Sequence, residues 1–277
     1  MKKFLIVTPV INANELLIDT VKSVISQIGL GHSFSILYVI CDGGSADIDI
    51  LFSELPDLNC IEGLDFVHLR HDDESMYDSI AIGLKKIKCD FDYFSYINSG
   101  DYYSSYALKS LVNEFETSRS EWVCGAVGSY NEQGYLFKLI EPVAFPNKVI
   151  RSGFFNGRLL PYIQQESNFI TRRALRFIDL DALSKFRLAG DAYIWKVLSD
   201  NGLSPTILPL WLAGFRRHNG QQSTVFNVEY KREFESIYKN NLRLFILLNV
   251  KFHILVVFNL LHPSLRPKKI VNWLRRW

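Results

Sequence analysis

The sequence predicts an α/β protein built on a mostly parallel central sheet flanked by helices, and three features carry that prediction. Apolar, β-branched runs recur at 4–8 (FLIVT), 34–40 (FSILYVI), 65–69 (DFVHL) and 91–97 (FDYFSYI). Between them, 16–27, 76–87 and 107–116 place apolar residues at helical spacing. Strands separated by helices of about 10–15 residues form right-handed βαβ units, whose strands lie parallel. Polar clusters follow the strands, and in such sheets ligands sit beyond the strands' carboxyl ends.

Each element has its own justification. The opening MKKFLIVTPV has too short an apolar run and no cleavage site for a leader, and reads as the first strand. The second strand runs into ICDGGSAD (40–47), where Asp42 meets two glycines. There the backbone can turn tightly and approach a ligand closely. A carboxylate so placed can accept hydrogen bonds from a base N–H or a ribose hydroxyl, although a plain turn also explains it. Asp72, Asp73, Glu74 and Asp78 crowd the start of the 76–87 helix, where each carboxylate contributes about 0.3–1 kcal/mol against the helix dipole. The fourth strand ends in YINSGD (96–101). Asp101 is placed there to bind a divalent cation, and the same residues also read as a turn before a helix starting near Ser104.

From 122 to 160 the pattern is irregular, which predicts antiparallel strands and a loop covering the sheet. A helix follows around 189–200, and then a short strand pair near 206–216. Asp191, in RLAGDAYIW (187–195), opens that helix. It is a general-base candidate if it faces a pocket and a helix-start carboxylate otherwise. GFRRHNGQQS (214–223) carries Arg216, Arg217 and His218, side chains suited to clamping phosphate and completing a metal's coordination. No linker or repeat appears, so the partition is one domain over 1–226 (halves at about 1–121 and 122–226) and a helical tail over 227–277.

Composition narrows the classes. The chain has 277 residues, of which 48% are hydrophobic, 14% aromatic and 22% charged, which excludes a disordered or low-complexity array. Its four cysteines form no CxxC pair, so a disulfide framework or zinc site is not expected and a reducing compartment fits. Charge is uneven: 239–277 holds eight Lys/Arg and no Asp/Glu, leaving the body 23 basic and 29 acidic side chains. Residues 242–261 could span a bilayer by length, but Lys251 near the middle would cost about 2.5–3.5 kcal/mol. Pro263 and Pro267 then precede KKIVNWLRRW. Lying in the interface of an anionic membrane suits this tail better than spanning it, and better than a nucleic-acid partner, and a C-terminal helix packed on the body is the other reading.

Taken in order, these segments resemble the family 2 glycosyltransferases of the GT-A fold. TPVINANE, SVISQ, CDGGSAD, DDESMYDSIAIGL and YINSGD stand where members carry a TP/N segment, an SxxxQ helix, DGGSTD, a DxGIYDAMNxG-like stretch and NSGD or NSDD. QQESNFITRRAL, LAGDAYIW and GFRRHNGQQS resemble one branch's QES-F-RR, AGD-LW and FR-H-Q-S elements, and the likeness runs over about 4–223.

The resemblance implies inverting transfer of a sugar from a nucleotide donor, UDP-linked as first choice, with Mg²⁺ or Mn²⁺ as cofactor. It implies that Thr8, Pro9, Asn12, Asp42, Asp73, Ser99, Arg216 and Arg217 bind the nucleotide sugar. Asp101 and His218 would hold the metal, Gln165 and Glu166 would face the acceptor, and Asp191 would be the catalytic base. With the basic tail, it implies a lipid-linked saccharide acceptor in O-antigen, capsule or exopolysaccharide synthesis, at the inner face of a bacterial cell membrane. The alternative is a non-catalytic nucleotide-binding or membrane-interaction protein of the same fold. Ser75, Ser79 and Ala81 depart from the family's usual Gly, Ala and Asn, and Gly100 replaces the first aspartate of the DD form.

Overall fold

Strands β1 (Lys2–Val10), β2 (Phe34–Asp42), β3 (Leu64–Arg70) and β4 (Tyr93–Tyr96) pair in parallel in the order β3-β2-β1-β4. They belong to a computed structural model that describes residues 1–155, 160–217 and 227–239, together with 246, 247 and 250. β2 is buried along its whole length, which is why it reads as an unbroken apolar run rather than an alternating one. Alternate residues still part company. Leu5, Val7, Leu37 and Val39 enter one core, and Phe4, Ile6, Ile36 and Tyr38 enter the other.

The helices fill those two faces. α1 (Leu16–Ile25) and α4 (Ala107–Ser118) pack on the second core, and α2 (Ile48–Ser53) adds Ile48 to it. The first core takes Tyr77 and Ile80 of α3 (Met76–Lys86), Val149 and Ile150 of α5 (Asn147–Arg151), and Ala174 of α6 (Arg172–Leu175). It also takes Leu183 of α7 (Leu180–Leu183), Ile194 and Trp195 of α8 (Gly190–Asp200), and Phe234 and Tyr238 of α9 (Asn227–Tyr238). The architecture is the α/β sheet flanked by helices that the sequence predicts.

The sheet continues from β4 through β8 (Asn168–Thr171), β6 (Trp122–Tyr130) and β9 (Thr206–Arg216) to β5 (Tyr102–Tyr103), with β7 (Leu136–Ile140) paired on β6. Four of these junctions are antiparallel (β4–β8, β8–β6, β6–β7 and β9–β5), and β6–β9 is parallel. The 206–216 segment is one strand rather than the expected pair. Its register against β6 shifts between Cys124 and Ala126, and Pro209 falls inside that bulge. A proline has no N–H to give a ladder, so it is tolerated at a bulge but reads in sequence as a break.

Trp122 ties β6 to α8 and β8. It is fully buried, its ring stacks on Trp195 of α8 at 5.0 Å, and its Nε1–H donates to Asn168 Oδ1 at 2.6 Å. The segment read as a separate tail opens with α9, whose Phe234 and Tyr238 are buried with the body. Most of the basic tail lies outside the described residues. Among the described residues no helix is long and apolar enough to cross a membrane.

Candidate active site

The NSGD turn sits at the carboxyl end of β4 and is held by one face of α1. Thr20 Oγ1 accepts the Gly100 N–H at 2.9 Å and donates to the Asp101 carbonyl at 2.7 Å. Ser23 Oγ accepts the Tyr103 N–H at 3.1 Å, and Gln27 joins the Ser104 carbonyl (2.8 Å) to the Leu108 N–H (3.1 Å). Thr20 and Ser23 share a face of α1 and Gln27 follows its C-terminal end, so the SVISQ segment is a brace for this turn. Gly100 has φ +97°, a region that disfavours side chains. That explains why glycine stands where the DD form has aspartate.

Asp101 is 5% exposed, and its Oδ1 accepts the Arg216 N–H at 3.0 Å. The Arg216 guanidinium reaches Asp19 Oδ2 at 2.7 Å. Glu166, 6% exposed in the turn between Gln164 and Asn168, is close enough to raise the Asp101 carboxyl further above the ordinary range, burial being the larger cause. Burial pushes Glu166 itself up to about 7, with the charge of Asp191 adding to it. Glu166 Oε2 has no hydrogen-bond partner among the described residues. Asp191 is half-buried at the start of α8 and is raised to about 6, chiefly by burial. Its Oδ1 accepts the Ala192 N–H at 2.7 Å and the Tyr230 hydroxyl at 3.5 Å.

Thus Asp101, Glu166, Asp191 and Arg216, distant in sequence, form one electrostatically coupled group. Gln165 supports it: its Nε2 donates to the Tyr96 carbonyl at 2.7 Å, and its Oε1 accepts from Asn98 Nδ2 at 3.5 Å. Ser99 is half-buried in the same turn. Asp191 is placed by its neighbour, because Gly190 lies against the Tyr77 ring, where an added Cβ would come within 2.4 Å of it. Tyr77 is 2% exposed and has little room to retreat. Gly190→Ala is therefore expected to cost about 1–3 kcal/mol by overpacking, read as a lower melting temperature, and to displace the adjacent carboxylate.

The nucleotide-side residues are arranged differently. Asp42 is fully buried; its Oδ1 accepts the Ser45 N–H at 2.9 Å, and its Oδ2 lies 3.4 Å from His68 Nε2 and 3.6 Å from Arg70 Nε. Ser45 Oγ in turn accepts the Ala13 N–H at 2.9 Å, tying the DGGS turn to the loop after β1. Of the acidic residues before α3, Asp73 alone turns inward. One of its oxygens lies 2.8 Å from where a Cβ on Gly43 would stand, so Gly43 permits this approach. Burial raises the Asp73 carboxyl above its ordinary value.

Thr8 and Pro9 are inside the protein, and the Thr8 hydroxyl is bonded to Tyr38 Oη at 3.0 Å. Asn12 is exposed with φ +55°. Arg217 is exposed, with its guanidinium 5.1 Å over the Phe137 ring. His218 lies outside the described residues. Ser75 caps α3 by accepting the Asp78 N–H at 3.1 Å and donates to the Phe186 carbonyl at 2.8 Å, a structural use for that departure.

Sequence reasoning did not single out Thr20, Tyr230 or Glu233. The signal for Thr20 was present, as a polar residue on the buried face of an amphipathic helix. Tyr230 and Glu233 stand in no motif.

The family model for glycosyl transferase family 2 matches residues 5–181. The 1–349 fragment of S. aureus TarS in complex with UDP-GlcNAc is similar in structure, with TM-score 0.60 and 15% identity over 88% of this chain and 72% of that one. Another structure of that fragment gives 0.58 and 15%, over 86% of this chain and 65% of the other. A structure titled S. aureus TarS gives 0.56 and 14%, over 87% and 43%. The chain therefore spans about two thirds, or less than half, of the length of these last two. At such identities the likeness is one of fold. No curated protein matches the sequence.

Proposed function

Because the chain belongs to glycosyl transferase family 2, we propose that it moves a sugar from a nucleotide-sugar donor to a hydroxyl of a lipid-linked saccharide, with inversion at the anomeric carbon. The observation that carries this reading is the coupling of Asp101 and Arg216, at strand ends, with Glu166 and with Asp191 at the start of α8. Phosphate-side and base-side groups are thereby brought to one place.

In this mechanism Asp191 takes the proton of the acceptor hydroxyl as that oxygen attacks the anomeric carbon. The bond to the diphosphate breaks on the opposite face, and its electron pair leaves with the nucleoside diphosphate. Arg216 and Arg217 are assigned to the charge that develops there, the Arg216 guanidinium being paired with Asp19 and that of Arg217 lying over Phe137 before the donor binds. Asn12, Asp42, Asp73 and Ser99 mark the nucleotide side, and Gln165 and Glu166 the acceptor side. A carboxyl held near 6 suits a base working near neutrality, since it is ionised yet retains proton affinity.

The residues present fit a divalent cation. Asp101 and Glu166 are buried carboxylates that raise each other's cost of ionisation, and Glu166 Oε2 is unpartnered among the described residues. Among the described residues no three His, Cys, Asp or Glu side chains are arranged so that they could hold a metal ion by themselves. Mg²⁺ is commonly bound by one or two carboxylates plus substrate phosphates, so Asp101 with the diphosphate is a sufficient set. When bound, such an ion stabilises the charge of the leaving diphosphate. His218, outside the described residues, is its proposed further ligand.

UDP leads the donor series because structures of TarS carry UDP-GlcNAc and UDP. The basic, Trp-bearing tail supports a lipid-linked acceptor of O-antigen, capsule or exopolysaccharide type, reached from the cytoplasmic face of the membrane. The test is a thermal-shift series with UDP, GDP, CMP and dTDP, each with and without Mn²⁺. A ligand at about 100 times its Kd stabilises by about 2.7 kcal/mol, a rise of several degrees in Tm. One nucleotide acting only with Mn²⁺ is the expected result. A folded protein that responds to none of them overturns the donor site and favours a protein of this fold without turnover.

A further inference from the structure

The loop that delivers Asp191 to α8 is secured from outside. The N-cap residue of α8 is Ala189, which has no side chain able to cap. Glu233 of α9 instead holds the residues that lead into the helix. Its Oε1 accepts the Arg187 N–H at 3.1 Å, and its Oε2 accepts the N–H groups of Leu188 at 2.9 Å and Ala189 at 2.8 Å. Three consecutive backbone donors thus share one carboxylate, whose negative charge also opposes the positive end of the α8 dipole. On the same helix, Tyr230 Oη lies 3.5 Å from Asp191 Oδ1, and Tyr238 Oη donates to the Ala192 carbonyl at 3.1 Å.

α9 is itself anchored. The Phe234 ring packs edge-on against Phe155 at 5.6 Å, and Tyr230 does the same against Tyr162 at 5.9 Å. The Tyr238 ring lies so close to Gly153 that a Cβ there would come within 2.6 Å of it. Residues 230, 234 and 238 form one stripe at helical spacing. The helix therefore bridges Gly153, Phe155 and Tyr162 to the base loop.

We propose that α9 is the positioning element of Asp191, with Glu233 fixing the 187–189 loop and Tyr230 orienting the carboxylate. This rests on the reading of Asp191 as the base. The helix that leads into the basic tail would then be part of the catalytic apparatus rather than a tether. The ionisable groups around Asp191 are Glu166, Glu233 and the phenols of Tyr77, Tyr96, Tyr230 and Tyr238. Tyr230 is the side-chain donor of this set that reaches the Asp191 carboxylate, so its removal has a predictable sign.

Two measurements on the full chain test this without any sugar acceptor. Amide hydrogen exchange at 187–189 is expected to quicken at least tenfold in Glu233→Ala and by less in Glu233→Gln, with β1 and β2 unchanged. If Glu233→Ala does not fold, the near-isosteric Gln variant carries this test. The ¹³C carboxyl titration of Asp191 is expected to move to higher pH in Tyr230→Phe, which packing alone would not cause. Unchanged exchange at 187–189, or an unmoved Asp191 midpoint, overturns the proposal. Full transfer activity in Asp191→Asn would instead overturn the reading of the base, and both physical measurements would still report whether α9 holds the loop.

Discussion

Replacing Asp191 with Asn is expected to lower sugar transfer by about 10²–10⁴-fold, the range that a positioned general base contributes, and to make the protein more stable at neutral pH. Both effects come from one carboxyl. Burial raises it from an ordinary 3.8 to about 6 in the folded chain. Below the unfolded value both states are protonated and no cost arises. As pH rises through the window from 3.8 to about 6, the unfolded chain ionises this carboxyl while the folded state, where it is poorly hydrated, keeps its proton, so stability falls, and the whole cost is present above about 6. At about 1.4 kcal/mol per pH unit that cost is at most on the order of 3 kcal/mol.

Asn keeps an oxygen for the Ala192 N–H but never ionises. Its stabilising effect should therefore be largest near pH 8 and vanish near pH 4, read as the difference in Tm between variant and parent. Transfer by the parent protein should rise with pH through about 6 and then level off. A folded Asp191→Asn protein with full activity would remove Asp191 from the chemistry. Stability given up at a functional carboxylate is the ordinary trade between folding and activity.

Trp122→Ala is expected to cost about 3–5 kcal/mol, the range for deleting a buried aromatic side chain. The residue is fully buried at the start of β6 and stacks on Trp195, so its loss opens a cavity under the helix that carries Asp191. It also strands Asn168 Oδ1, which has the Trp122 N–H as donor at 2.6 Å. A domain with about 5–15 kcal/mol in hand is left marginal by such a loss. Chemical denaturation should show a lower midpoint. Trp122→Phe keeps the ring but loses the N–H, and it should fall between the two. A Trp122→Ala midpoint near that of the parent would mean that the stacked pair does not hold α8 against β6.

How much of this could be read without the fold depends on the range of the interaction concerned. β1 to β4 with α1, α3 and α4 were legible, because burial on both faces makes continuous apolar runs and helical amphipathicity repeats locally. Asp101 and Asp191 were legible as candidates, since a carboxylate at a strand end or helix start is a local pattern. β9 was misread as two strands because Pro209 signals a break, and only pairing with β6 turns that break into a bulge. That the Thr8 hydroxyl is bonded to Tyr38 of the neighbouring strand was not legible, because that contact depends on strand pairing.

The sequence by itself determined the α/β class, the order of strands and helices in the first half, and which carboxylates could do chemistry. It did so because periodicity, glycine turns and helix-start charges act over a few residues. Tertiary structure alone decided that Asp101, Glu166 and Asp191 share one electrostatic environment, and that Asp42 is bound inward by Ser45. It also decided that Glu233, some forty residues beyond α8's start, holds the 187–189 loop that leads into that helix. Burial and charge coupling depend on what lies within a few ångströms in space, and chain separation carries almost no record of that.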